Sequence, residues 1–203
     1  MNKKLTRLTW MCAVVVSLIA ALPLGARAEM AQYDVDLDHS IVGFEVAHMV
    51  ISKTTGRFLD YSGSIVMNPD TKEFKTIEAT IQTKSVSTNN EKRDNHLRSP
   101  DFFNVEKFPT MTYKMKNYKK TGETYTAVGD LTLLGVTKEV ALTGTFNGVA
   151  NAMGSTRAGF TAEGTINRKD FGMVWAKLLD NGGAVVGDTI KIRLEIECIK
   201  KKA

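Results

Sequence analysis

The sequence predicts an all-β fold of antiparallel strands with one short helical interruption. Three observations carry this. Apolar residues recur at every second position, the alternating segments are rich in Val, Ile, Thr, Tyr and Phe, and turn residues separate them at short intervals. One apolar face and one wet face is what an antiparallel sheet shows, whereas parallel strands are buried on both faces.

The N-terminal stretch stands apart. Lys3, Lys4 and Arg7 precede an apolar run from Trp10 to Leu24, which ends at Ala26-Arg27-Ala28. A basic start, an apolar core and a small-x-small site read as a secretory signal peptide cleaved after Ala28. The core has about fifteen residues, short of the roughly twenty that a membrane-spanning helix needs. Cys12 sits early in that run, within Thr-Trp-Met-Cys, and does not resemble a lipoprotein-processing site. The expected organisation is a leader over 1–28 and one domain over 29–203, located in the periplasm.

Charge and cysteine content narrow the partners. The chain has 27 basic and 22 acidic residues, but Lys3, Lys4, Arg7 and Arg27 all belong to the leader, which has no acid. The remainder is nearly balanced, so the basic surplus that would suggest nucleic acid disappears. After cleavage Cys198 is alone, which excludes an intramolecular disulfide.

Along the domain, about eight strands are expected, near 31–37, 40–50, 58–68, 74–87, 108–120, 124–134, 137–149 and 156–168, with 187–199 a ninth candidate. The first two are compatible with one bent strand. In 74–87, Ile77, Ala79 and Ile81 oppose Glu78, Thr80 and Gln82; in 124–134, Tyr125, Ala127, Gly129, Leu131 and Leu133 form the inward set. Val140, Leu142 and Phe146 do so in the next strand. The last alternation is the cleanest, with Ile190, Ile192, Leu194, Ile196 and Cys198 against Lys191, Arg193, Glu195 and Glu197. Thr121-Gly122 and Leu134-Gly135 suit hairpin loops. Thr88-Asn89-Asn90-Glu91 fits a capping box opening a short helix to Arg98, and Ser99-Pro100 suits a further turn. Strands in this number either stack as a sandwich or close as a barrel.

Several segments, taken in order, carry a family resemblance. They are Asp38-His39-Ser40 with Phe44, Val46 and His48; Gly56-Arg57-Phe58; Arg93 to Ser99; Asp101-Phe102-Phe103-Asn104-Val105; Phe108-Pro109; Gly129 to Thr132; Leu134 to Lys138; and Asn167 to Gly172. Together they resemble the YceI-like family of polyisoprenoid-binding, lipocalin-like proteins. The resemblance implies an extended eight-stranded antiparallel lipocalin-like barrel with a short helical insertion. It also implies an interior that holds a long isoprenoid-type lipid, a prenyl phosphate or a quinone.

On that reading, the apolar wall of the cavity is expected from Phe44, Phe58, Met67, Ile81, Met111 and Tyr113. Leu131, Leu133, Phe146, Phe160, Phe171 and Trp175 complete the set. Small residues on inward faces (Ala79, Ala127, Gly129, Gly144, Ala162 and Gly164) leave room for a tunnel or mark tight curvature. His48, Arg93, His96 and Arg98 are the candidates for a headgroup, since a guanidinium can clasp a phosphate or quinone oxygen. Arg168 and Asp170 read as structural. The three histidines show no metal-ligand spacing, so neither metal nor cofactor is expected. No G-x-S-x-G or phosphate-binding glycine loop is present, and the chain is expected not to be an enzyme.

The function expected is thus a periplasmic binding and transport protein for a long lipid. The alternative is an interaction partner of a membrane redox or envelope complex with an incidental cavity. A polyisoprenoid or similar lipid is the principal partner, with transient contact with the membrane and a homodimer as further expectations and no nucleic acid.

Overall fold

Eleven strands and one helix make up the part described, residues 29–180 and 182–202 of a computed structural model. The expected leader lies outside it. In chain order the strands are β1 (Ala31–Val35), β2 (Ile41–His48), β3 (Ser52–Phe58), β4 (Tyr61–Asn68), β5 (Glu73–Gln82) and β6 (Val86–Ser87). After helix α1 (Glu91–Arg98) follow β7 (Thr110–Thr121), β8 (Thr124–Leu133), β9 (Val136–Ala152), β10 (Ser155–Asn167) and β11 (Val186–Lys200).

The ladder runs β1-β4-β5-β7-β8-β9-β10-β11, and β11 returns to β1, so the sheet closes into an eight-stranded antiparallel barrel. Closure decides between the two architectures left open by the strand count, although β3 before Arg57 is paired with β2 alone and β5 meets β7 only from Glu78 to Gln82. Three staves of the barrel are bent. β11 pairs with β1 at Cys198 and with β2 from Glu195 onward, so β1 and β2 are one stave interrupted by the 3-10 turn Leu37–His39. β3 and β4 continue one another in the same way, as do β5 and β6 through the turn Thr83–Ser85. β3 has no counterpart in the expected strands, which begin there at residue 58. Ser52-Lys53-Thr54-Thr55-Gly56-Arg57 has no apolar residue to alternate, and its pairing with β2 makes it a strand.

Hairpin chemistry follows the residues. Leu134 and Gly135 join the paired residues Leu133 and Val136, both with positive φ (52° and 75°), the left-handed pair that matches strand twist. A side chain on Gly135 would also run into the Phe108 ring. The β7–β8 loop is Gly122-Glu123, one residue later than expected, because Thr121 pairs with Thr124.

The helix starts later than the capping box implies. Asn90 is the cap, its side chain accepting from Arg93 N–H (3.0 Å). Thr88 is drawn away, because its backbone N–H and its hydroxyl both donate to the buried Asp94 carboxylate. That carboxylate satisfies two groups at once, so the helix is pinned to the end of β6.

Candidate functional site

Because side chains alternate across each strand, one residue in two faces the barrel axis. Ile190, Ile192, Leu194 and Ile196 do so on β11, Ile77, Ala79 and Ile81 on β5, Leu131 and Leu133 on β8, and Val140 and Leu142 on β9. They enclose a cavity of about 230 Å³.

Its wall is hydrocarbon nearly throughout. The few polar residues there are already engaged or exposed. Tyr61 Oη donates to Ser40 O (2.6 Å) and Tyr113 Oη to Ala127 O (3.1 Å). Burial, with the Asp130 charge adding to it, pushes the Tyr113 phenol up to about 12. Glu78 is exposed and pairs with Lys114, and Ser62 is exposed as well. Arg168 is 1% exposed, with Nε donating to Gly187 O (2.9 Å), Nη1 to Met173 O (2.6 Å) and Nη2 to Asp188 Oδ1 (2.9 Å). Lys169 and then Arg168 hold the Asp188 carboxyl below its ordinary range. Such a wall cannot stabilise a charge in transit. It can hold an apolar chain.

The two ends of the cavity differ. At one end Leu97 of α1 and Phe102 and Phe103 after it close over the wall, with Phe103 edge-on to Phe58 (5.5 Å). Met173 and Arg168 face them from the β10–β11 connection, and Trp175 spans the two groups by packing on His96 and Phe102. At the other end lies a second cluster, around Tyr33, Ile65, Met67, Ala158 and Cys198, against which Phe74, Phe146 and Phe160 pack. Val35, Ile65, Ile77 and Ile196 belong to both the cavity wall and this cluster, so it forms the cavity floor.

Of the twelve expected wall residues, Phe44, Phe58, Ile81, Met111, Tyr113, Leu131 and Leu133 line the cavity. The other five do not line it. Met67, Phe146 and Phe160 lie in the floor cluster. Phe171 is buried in the core cluster that includes Phe102, Phe103 and Met173, and Trp175 lies over the opposite end. Sequence reasoning missed Phe102 and Phe103 as wall residues, because they stand in an irregular segment with no period to read. Ile190 to Ile196 carried the signal in their alternation.

None of the four headgroup candidates lines the cavity. Arg93 donates to the Thr88 hydroxyl and carbonyl, and Arg98 to the carbonyls of Lys84 and Val86 and to Asn95. Both guanidiniums fasten α1 to the β5–β6 stave. His96 pairs with Asp101, and His48 is half-buried at the end of β2.

The small inward residues mark close approach more than open room, since only Ala79 of the six lines the cavity. A Cβ on Gly129 would meet Lys114 O and the Tyr113 ring, and one on Gly144 would collide with Thr161 O. Among the described residues, Asp36, His39 and Glu197 bring donor atoms within 4.8 Å of one another. Arg157 already occupies that cluster, contacting both carboxylates, so it is an ion-pair network with its cation in place.

A family model described as the YceI-like domain matches residues 33–198. A UPF0312 protein of Photorhabdus laumondii subsp. laumondii is 40% identical over 155 residues, covering 74% of this chain and 81% of its own. Another, from Yersinia enterocolitica, is 38% identical over 178 residues, 86% of this chain and 90% of its own. Among solved structures, the Campylobacter jejuni YCEI protein matches with a TM-score of 0.67 at 38% identity, over 75% of this chain and 88% of that one. A polyisoprenoid binding domain from Saccharophagus degradans matches in fold, with a TM-score of 0.61 at 15% identity, over 85% of this chain and all of that one. The chain belongs to the YceI-like family.

Proposed function

We propose that the barrel is a non-enzymatic carrier that sheathes the apolar tail of an isoprenoid-type lipid in the periplasm. The observation that carries this is the cavity wall, built from aliphatic and aromatic side chains whose few polar atoms are bonded elsewhere. Burying each methylene gives about 0.8 kcal/mol, so a tail dominates the affinity even after its ordering cost is deducted. The fold shared with a domain described as polyisoprenoid binding is consistent with an isoprenoid-type tail. The leader, ending at Ala26-Arg27-Ala28, supports export.

The decisive experiment extracts the protein, purified from its own host's periplasm, with organic solvent and identifies the extract by mass spectrometry. A stoichiometric isoprenoid is the expected result, on a chain whose N-terminus is Glu29. A lipid-free protein that also takes up no prenyl lipid would sink the reading and favour a partner-protein role.

A further inference from the structure

We infer that the tip of the β2–β3 hairpin, with the neighbouring turn of the β10–β11 connection, is a docking surface that seats the hollow end of the barrel on a lipid bilayer. The inference builds on the carrier reading by naming the surface that would receive the lipid.

His48 pairs with Ser52, which leaves Met49, Val50 and Ile51 as the loop. All three are exposed, Ile51 by 87% and Val50 by 74%, and none belongs to either core cluster. Met49 and Val50 both take positive φ, 52° and 66°. Glycine and asparagine enter that backbone at little cost, whereas a β-branched residue there is strained. Folding alone would favour Asn or Gly at this tip, so the apolar side chains need another reason.

The tip does not stand alone. Met49 N–H donates to Val185 O (2.9 Å), and Val185 N–H donates to Lys177 O (2.9 Å). This lays the loop near Leu178, which bridges to Ala184 and is itself exposed, as is Val174 in the same connection. Val46 lines the cavity, and so does Val186, the partner of His48. The apolar wall therefore runs outward into an apolar rim at the hollow end.

Charge and size select the occupant. Segments 46–59 and 172–179 contain no Asp or Glu, and their Lys53, Arg57 and Lys177 suit the phosphates of a bilayer. Side chains on two turns offer on the order of a few hundred Å², well below the roughly 1,200–2,000 Å² of a stable protein interface. Immersing a few aliphatic groups at a lipid surface needs no such area.

The test floats the chain from Glu29 onward with vesicles of phosphatidylethanolamine and phosphatidylglycerol that contain no prenyl lipid. Trp175 is the one tryptophan outside the expected leader, so its quenching by lipids brominated near the headgroup reports whether this end touches. Co-flotation with quenching is the expected result. Val50→Asn with Ile51→Ser is expected to weaken binding about tenfold or more with no fall in melting temperature. Leu178→Ser weakens it by less and covers the case in which the double variant does not fold. Lys177→Gln is expected to cost about fivefold. Absence of flotation, flotation without quenching, or unchanged binding by folded tip variants would overturn the docking surface. So would a dimer that the tip variants dissolve while vesicles are ignored. A protein that carries an isoprenoid yet ignores vesicles overturns the docking surface and leaves the carrier reading. One that docks by this tip but takes up no prenyl lipid keeps the docking surface and sinks the carrier reading.

Discussion

The two halves of the barrel are built on the same strands with the same alternation, yet one is hollow and the other is solid. Along β8 the inward face passes from Tyr125 in the solid half to Leu131 and Leu133 in the hollow one; along β9 it passes from Phe146 to Leu142 and Val140. On β5 it passes from Phe74 to Ile77 and Ile81. Rings meeting edge-on reach across the axis and fill it, whereas branched aliphatic chains stop short of one another. Side-chain reach at a given height therefore decides where an eight-stranded barrel holds a ligand and where it is packed core.

The sharpest way to break this contrast is a pair of truncations. Met67 is fully buried in the solid half, so Met67→Ala leaves a void among fixed neighbours and is expected to cost about 3–5 kcal/mol. Leu131 borders space that is already empty, so Leu131→Ala removes contacts on one side only and is expected to cost about 1–2 kcal/mol. Denaturant unfolding of both variants measures the difference. Equal losses would mean that the hollow half is packed as tightly as the solid one.

Alkaline titration sharpens the comparison from another side. Burial, with the charges of Asp34, Asp36 and Glu197 adding to it, pushes the Cys198 thiol up to about 12 from 9.0. The folded state therefore keeps a proton that the unfolded chain releases above pH 9, and stability falls as pH rises through that range. In Cys198→Ala the alkaline fall is expected to be shallower, after allowing for the lost sulfur contacts. The native thiol is also expected to resist alkylation until the protein unfolds, because only the thiolate reacts.

A smaller effect is expected at Tyr33. Its buried hydroxyl meets no hydrogen-bonding group of the described protein residues, so Tyr33→Phe is expected to leave stability unchanged or raise it by about 1 kcal/mol. A loss of that size would show that the hydroxyl has a partner, such as a trapped water.

What the sequence disclosed, and what it hid, follows from the same geometry. Period two reports which face a residue takes, so Ile77, Ile81, Leu131 and Ile190 to Ile196 were readable as inward. It does not report height along the axis, so Phe146 and Phe160 could not be told from Phe44 and Phe58 as wall residues. Local polarity hid β3, a strand held by its partner. Arg93 and Arg98 carry the chemistry of an anion site, but their donors close on nearby backbone carbonyls that no spacing rule reveals.

Outside the barrel wall, the network that ties β1, β10 and β11 together gives the smallest expected effect. Burial raises the Asp36 carboxyl, but hydrogen bonds from Arg157 and His39, with the Asp38 N–H adding to them, outweigh it and hold the group below its ordinary value of 3.8. A carboxyl depressed in the folded state contributes stability that is present above its unfolded value and lost as pH falls below 3.8 toward the folded one. Glu45, lowered chiefly by Lys53, and Asp188, lowered chiefly by Lys169, titrate in the same direction. Asp36→Asn should therefore flatten the acid limb of the stability curve without abolishing it, while Glu197 keeps Arg157 paired. Melting temperatures from pH 2 to pH 6 would show this as convergence of the two proteins at the acid end. Parallel curves would mean that the Arg157 cluster is too well solvated to couple folding to protons, leaving the barrel's acid sensitivity to Glu45 and Asp188.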